Sequence, residues 1–520
     1  MNPTQTKNWN ALKNHFKSIK NTAISDFFDE KRMADFTFDF NQTYFDFSKH
    51  RIDSKMLQLF ADFANEMQLN KGIDKLFSGE IINHTEQRAV LHTALRQQDD
   101  KAVLVKGKNI IPEIRTANQR LEKFANEVIN GTWKGITGKK ITDVVNIGIG
   151  GSDLGPRMIV RGLSAYQNHL KVHYLSNIDP FDLDETLKKI DLETTLFLVI
   201  SKSFSTQETL TNARAVQQIY KQKYGKDSIA KHFATVSTKV DQAEAFGIAP
   251  QNIFPMWDWV GGRFSLWSPA GISIMLAVGV DNFNKLLEGA STMDKHFKNT
   301  DFNKNIPAIA AFLTILYNNF YQFESETTIP YAEKLSLLPD FLQQLLMESN
   351  GKTIDNEQKR IDYQTGNIVW GNAGTNAQHS FFQLLHQGTK MVPVTFMAEK
   401  RNKNTEHPAH HQILMSNMIA QSEALMNGER NDNPYKNFEG NRPSTTILFD
   451  EINPNTLGAL IAFYEHKTFV EGYLWNINSF DQFGVELGKK LAQKVLRELT
   501  DNTNEKHDPS TKELINRIKE

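Results

Sequence analysis

The chain has 520 residues, 40% of them apolar and 23% charged, and its 59 Lys and Arg against 60 Asp and Glu give a net charge of −1. Such a composition can bury a large core over two or three domains of about 100–200 residues, and argues against broad nucleic-acid or polybasic membrane surfaces. With no cysteine, disulfides, thiolate nucleophiles and cysteine metal sites are excluded, and a reducing compartment is compatible. The N-terminal residues show no apolar h-region, and the longest apolar stretch, residues 272–280, is far short of the roughly 20 residues of a bilayer span. A cytoplasmic enzyme is the expectation.

Residues 1–108 are rich in Phe, Asp and Lys, with helical spacing predicted over 56–67 and again over 85–95. Thr85 is placed to cap the second of these helices, whose Arg88, His92 and Arg96 recur along one face. That face reads either as a basic surface near an anion or as an ordinary ion-paired surface.

From Ile141 the pattern changes to alternating strands and helices, the signature of a doubly wound α/β domain whose ligands sit at the carboxyl ends of its strands. A strand over 142–149 runs into Gly150-Gly151-Ser152-Asp153-Leu154-Gly155-Pro156 and a helix. The glycines allow backbone amides to approach a ligand, but they do not meet the dinucleotide spacing G-x-G-x-x-G. A second strand, 172–175, follows. The third, Leu196-Phe197-Leu198-Val199-Ile200, is a continuous apolar run suited to burial on both faces. It ends in Ser201, Lys202, Ser203, Ser205 and Thr206, four hydroxyls and an ammonium, before a helix for which Ser205 and Glu208 spell a capping box. A hydroxyl-rich turn at a helix start is either a plain cap or an anion site built from free N–H groups and the helix dipole.

Arg263 lies in Trp257-Asp258-Trp259-Val260-Gly261-Gly262-Arg263, where it is either a fixed guanidinium for an oxyanion or a structural partner of Asp258. The α/β pattern resumes with a strand at 328–331 and a short helix at 339–347 that closes on Glu348-Ser349-Asn350-Gly351. A carboxylate at the end of such a helix reads either as a candidate general base, its charge disfavoured by desolvation and the helix dipole, or as an exposed structural Glu. After a strand at 366–370, Gly371-Asn372-Ala373-Gly374-Thr375 leads to His379 at a helix start. His407, His410 and His411 lack the accompanying carboxylates of a metal site. Lys489 stands at the start of a helix ending near Leu499, and residues 501–520 read as a peripheral helix.

Eight blocks together resemble the glucose-6-phosphate isomerase family: NHTEQRAVLHTALR from Asn83, NIGIGGSDLGP from Asn146, SKSFSTQETLTNA from Ser201, WDWVGGRFSLWSPAG from Trp257, QQLLMESNGK from Gln343, GNAGTNAQHSFFQLLHQGTK from Gly371, FEGNRPS from Phe438 and NSFDQFGVELGK from Asn478. Ser203 and Ser205 stand where the family usually carries Thr, Leu346 where a polar residue is common, and Phe483 where Trp is. The resemblance implies an α/β fold of two SIS-type doubly wound domains with mainly parallel sheets, divided as 1–115, 116–285, 286–490 and a helical tail, 491–520. It implies aldose–ketose isomerisation of a hexose phosphate in a homodimer whose subunits share the active site, without metal or organic cofactor. Carried over by position, Ser201, Lys202, Ser203, Ser205 and Thr206 take the phosphate, and Gly151, Ser152 and Gln344 help hold the sugar. Glu348 moves the C2 proton to C1, Arg263 steadies the cis-enediolate, and His379 with Lys489 opens the ring. A sugar-phosphate sensor on the same domains would need only the phosphate turn, and a nucleotide-dependent oxidoreductase only the glycine loop.

Overall fold

The apolar runs fold as the strands of two sheets in a computed structural model that describes all residues except 402–405, 502 and 504. By contacts the chain divides into two compact units, Met1–Ser479 and Phe480–Glu520.

In the larger unit, β1 (Thr37–Phe40) and β2 (Thr43–Asp46) form a hairpin near the N-terminus. The first sheet is fully parallel: β3 (Asp143–Ile147), β4 (Lys171–Leu175), β5 (Thr195–Ile200), β6 (Phe233–Ser237) and β7 (Ile253–Pro255), in the order β7-β6-β5-β3-β4. Every residue of β3 and β5 is buried, as expected of strands covered by helices on both faces. The chain leaves β3 toward one edge and returns to β5 on the other side, so the strand order reverses between these two neighbours. Loops diverge at such a reversal and leave a crevice at the carboxyl ends of the strands. Gly150–Ser152 follows β3 and residues 201–206 follow β5; both turns open into that crevice.

The second sheet contains β8 (Ser325–Tyr331), β9 (Ile368–Gly371), β10 (Val394–Glu399) and β11 (Ser444–Phe449), which pair with one another in parallel. The N-terminal hairpin extends it antiparallel through β2 on β11, giving β1-β2-β11-β10-β8-β9. Helix Pro454–Leu474 is buried along nearly its whole length and crosses helix Val280–Asn299 at close range. Glycine makes that crossing possible. A Cβ at Gly289 would lie 1.8 Å from the Asn455 carbonyl oxygen, and one at Gly458 would lie 2.0 Å from that of Leu286.

The helix expected over 85–95 is not formed. Ile81–Asn83 and Arg88–Ala89 are short paired strands, and His92–Arg96 is a 3₁₀ turn. Arg96 is fully buried: its Nε and Nη2 donate to Asp294 at 2.8 and 2.7 Å, and Nη1 pairs with Glu465. His466 Nε2 bonds Asp294 at 2.7 Å, and Trp267 Nε1 donates to Glu465 at 2.7 Å. Burial favours the neutral form of Glu465, while the Arg96 guanidinium pulls the other way. Of the two readings of this basic stretch, the ion-paired one holds for Arg96.

The smaller unit contains helices Glu486–Asp501 and Pro509–Lys519, the second capped by the Asp508 carboxylate accepting from the Ser510 and Thr511 amides. Positions 502 and 504 of the expected tail lie outside the described residues. No helix among the described residues is long and apolar enough to cross a membrane.

Candidate active site

The turn after β5 is shaped by one aromatic side chain. Phe204 takes a left-handed backbone conformation (φ 47°) and is buried in the core under the first sheet. Burying this ring among Phe197, Val199 and Leu210 offsets the local strain of a non-glycine residue at positive φ. With Phe204 turned inward, Ser203 and Ser205 face solvent, and Ser205 Oγ donates to Ser203 Oγ at 2.7 Å. The expected Ser205–Glu208 capping box is absent: Thr206 occupies the cap position of helix Gln207–Tyr224 without a side-chain capping bond. Ser201 Oγ instead donates to Thr206 Oγ1 at 3.3 Å. Exposed hydroxyls thus gather at the start of an 18-residue helix, the arrangement an anion requires.

Lys202 bends from this turn to donate to the carbonyls of Asp258 (3.0 Å) and Val260 (2.9 Å). Burial, then the nearby positive charge of Arg88, lowers its pKa to about 8. The lysine therefore ties the hydroxyl turn to the segment that leads into Gly262 and Arg263.

Three further turns meet there. The first is Gly150–Ser152, whose Ser152 carbonyl accepts from the buried Asn146 side chain at 2.9 Å. The second is the 3₁₀ turn Gly262–Trp267. A Cβ on Gly151 would lie 2.0 Å from the Gly262 carbonyl oxygen, so only glycine allows these two turns to touch. The third is Gln343–Glu348, a π-helical turn that continues helix Leu338–Leu342 and widens the backbone where Gln344 and Glu348 project. Gln344 Nε2 lies 3.0 Å from where a Gly150 side chain would begin.

Arg263 Nη1 is 3.3 Å from Glu348 Oε2, with the arginine side chain 1% exposed and the glutamate 22%. Its Nε donates to Ser349 Oγ and its Nη2 to the Ser479 carbonyl, each at 2.6 Å. The arginine is thus held by the residue beside the candidate base. Ser349, Asn350 and Ser479 are not among the residues that the sequence singles out, although Ser349 and Asn350 stand inside the same block as Glu348.

The remaining two candidates stand apart in the chain. His379 is exposed and ends the 3₁₀ turn Asn376–His379, while the regular helix starts later, at Phe382. Lys489 belongs to the smaller unit, in the first turn of helix Glu486–Asp501. The structure therefore brings together Gly151, Ser152, Ser201, Lys202, Ser203, Ser205, Thr206, Arg263, Gln344 and Glu348 on neighbouring turns of one unit.

The family model described as phosphoglucose isomerase matches residues 46–515. The chain is 49% identical to the glucose-6-phosphate isomerase of Christiangramia forsetii over 536 aligned residues, covering 99% of this chain and 98% of that one. It is similar to the crystal structure of a glucose-6-phosphate isomerase from Chlamydia trachomatis, with a TM-score of 0.89 and 32% identity over 100% of this chain and 99% of the other. A hypothetical protein from Thermus thermophilus gives a TM-score of 0.66 at 25% identity, over 85% of this chain and 96% of that chain.

Proposed function

The chain belongs to the phosphoglucose isomerase family and interconverts glucose 6-phosphate and fructose 6-phosphate, and we propose that Glu348 carries the proton between C2 and C1. The observation behind this assignment is the Glu348–Arg263 pair, a partly open carboxylate against a buried, anchored guanidinium. In the open-chain aldose, the Glu348 carboxylate takes the C2 proton. The C–H electrons form the C1–C2 double bond, and O1 gains negative charge. Arg263, its side chain 1% exposed, faces that charge as a fixed cation held out of water. The O2 hydroxyl then passes its proton to O1, Glu348 returns the first proton to C1, and C2 becomes the ketone.

The phosphate sits remote from this chemistry, on Ser201, Lys202, Ser203, Ser205 and Thr206. Its binding energy positions C1 and C2 over Glu348. Gly151, Ser152 and Gln344 hold the sugar. Ring opening falls to Lys489 and the partner subunit's His379, in a homodimer that shares its sites. Residues 116–285 then supply the phosphate turn and Arg263, and residues 286–490 the base. The cytoplasm is the compartment proposed, in keeping with a chain that has no cysteine.

The test is Glu348→Gln. Turnover of glucose 6-phosphate should fall at least 100-fold, the lower end of what a positioned base contributes (about 10²–10⁴), while fructose 6-phosphate still binds. Undiminished turnover would remove Glu348 from the mechanism. Absence of turnover in the native protein would leave only a sugar-phosphate sensor.

A further inference from the structure

We propose that Ser349 and Asn350 are positioning residues for Arg263, fixing the plane in which its guanidinium meets Glu348; this rests on the roles given to Arg263 and Glu348 above.

A guanidinium is planar, so holding two of its nitrogens settles where the third points. Here Ser349 Oγ takes the Nε hydrogen and the Ser479 carbonyl takes one on Nη2, and Nη1 is left facing Glu348. Neither anchor is itself loose. The carbonyls of Glu348 and Ser349 both accept from Lys352 Nζ, at 3.0 and 2.8 Å, which pins the short segment carrying the base and the first anchor. The second anchor is held through Asn350. Its Oδ1 accepts from Ser479 Oγ at 2.7 Å, while its Nδ2 donates to the Thr468 carbonyl at 3.1 Å and to Glu471 Oε2 at 3.0 Å. Ser349 and Asn350 are both fully buried.

Helix Pro454–Leu474 is cut to fit this arrangement. A Cβ on Gly472 would lie 1.8 Å from Ser479 Oγ and 2.9 Å from Asn350 Oδ1. Behind it, Glu471 pairs with Lys467 at 2.8 Å, and Lys467 with Glu326 at 3.0 Å. Consecutive residues thus supply the base (348), the first anchor (349) and the clamp on the second anchor (350). A shift of this segment would carry the base and the cation together.

The test is a double-mutant cycle read by steady-state kinetics. Lysine has no Nε–H and no second terminal nitrogen, so Arg263→Lys removes the groups that Ser349 and Ser479 hold. Misplacement of a catalytic group by about 1 Å can cost 10²-fold, so Ser349→Ala should lower kcat by roughly 10- to 100-fold, with KM changed by less than about threefold. Placed on Arg263→Lys, the same change should add less than about twofold, because coupled residues are not additive. Ser479→Ala, which frees the second anchor from Asn350, should give the same pattern at smaller amplitude, and serves if Ser349→Ala does not fold. Losses that multiply in the double variant overturn the positioning role while leaving Arg263 in the mechanism. Full kcat in Arg263→Lys overturns the role of Arg263 first, and positioning with it.

Discussion

Glu348 Oε2 and Arg263 Nη1 lie 3.3 Å apart, yet one side chain is almost wholly buried and the other keeps a fifth of its surface open. A carboxylate in that position can reach a ligand without leaving its cation. Replacing the cation separates the two functions. Arg263→Gln should lower kcat roughly 10²- to 10³-fold, the cost of losing one donor to a developing oxyanion. KM should move much less, since the charge being stabilised is absent from the ground state. Initial-rate measurements over a range of fructose 6-phosphate concentrations check this; a rise in KM at constant kcat would instead make Arg263 a ground-state binding group.

If Lys202 holds the phosphate as proposed, it should set a pH limit on binding. Its pKa is lowered to about 8 by burial and by the charge of Arg88, so the free protein loses this cation as pH rises through 8. KM for the sugar phosphate should be lowest near pH 7, where the substrate phosphate is already mostly dianionic, and climb as the pH rises through 8. Lys202→Met should raise KM at pH 7 and flatten the climb. The same group has an opposite effect on stability. Between about 8 and its ordinary 10.5 the unfolded chain holds more protons than the folded one, so this contribution makes folding more favourable as pH rises through that window. Urea titrations at pH 7.5 and 9.5, compared between native protein and Lys202→Met, isolate it.

The Arg96 cluster should carry stability rather than chemistry. Arg96, Asp294, Glu465 and His466 are all buried, with the guanidinium shared between two carboxylates. Removing one member strands the others away from water, a loss of about 3–5 kcal/mol for a buried pair. Asp294→Ala should therefore lower the urea midpoint strongly, while the protein that remains folded keeps a near-normal KM. Replacing Arg96, Asp294 and Glu465 together with apolar residues of similar volume should cost less than Asp294→Ala alone.

Sharing of sites between subunits can be read from mixed variants. Glu348→Gln and His379→Ala should each be inactive as pure proteins. If each site combines Glu348 with the partner subunit's His379, random reassortment leaves one intact site in half of the dimers, restoring about a quarter of native activity by the symmetry of a two-fold pair. Sites built within one chain would recover nothing. Assaying the two variants before and after mixing decides between them.

The strands were legible because burial on both faces leaves a plain mark, a continuous apolar run such as 196–200. The helix expected over 85–95 does not form. Arg88, His92 and Arg96 repeat every four residues, but polar residues at that interval do not establish a helical period, and His92 and Arg96 prove to be interior groups. The capping box failed for a related reason: Ser205 and Glu208 have the right spacing, but burial of Phe204 turns Ser205 toward Ser203. Glu348, Arg263 and the hydroxyl turn could be picked out singly. What holds Arg263 could not, because Ser349 is 86 residues away and the Ser479 carbonyl belongs to the backbone, which no side-chain motif announces.

The bond from Arg263 to the Ser479 carbonyl spans 216 residues, and so gives the protein a birth order. At a synthesis rate of about 5–20 residues per second, roughly 10–40 seconds separate translation of the arginine from translation of Ser479. During that interval a nascent chain can pair all five strands of the first sheet, yet it cannot complete the seating of the guanidinium that faces Glu348. Premature termination short of residue 479 yields a polypeptide with the phosphate turn encoded in full and the cation unsecured. Competence arrives with the final tenth of the message.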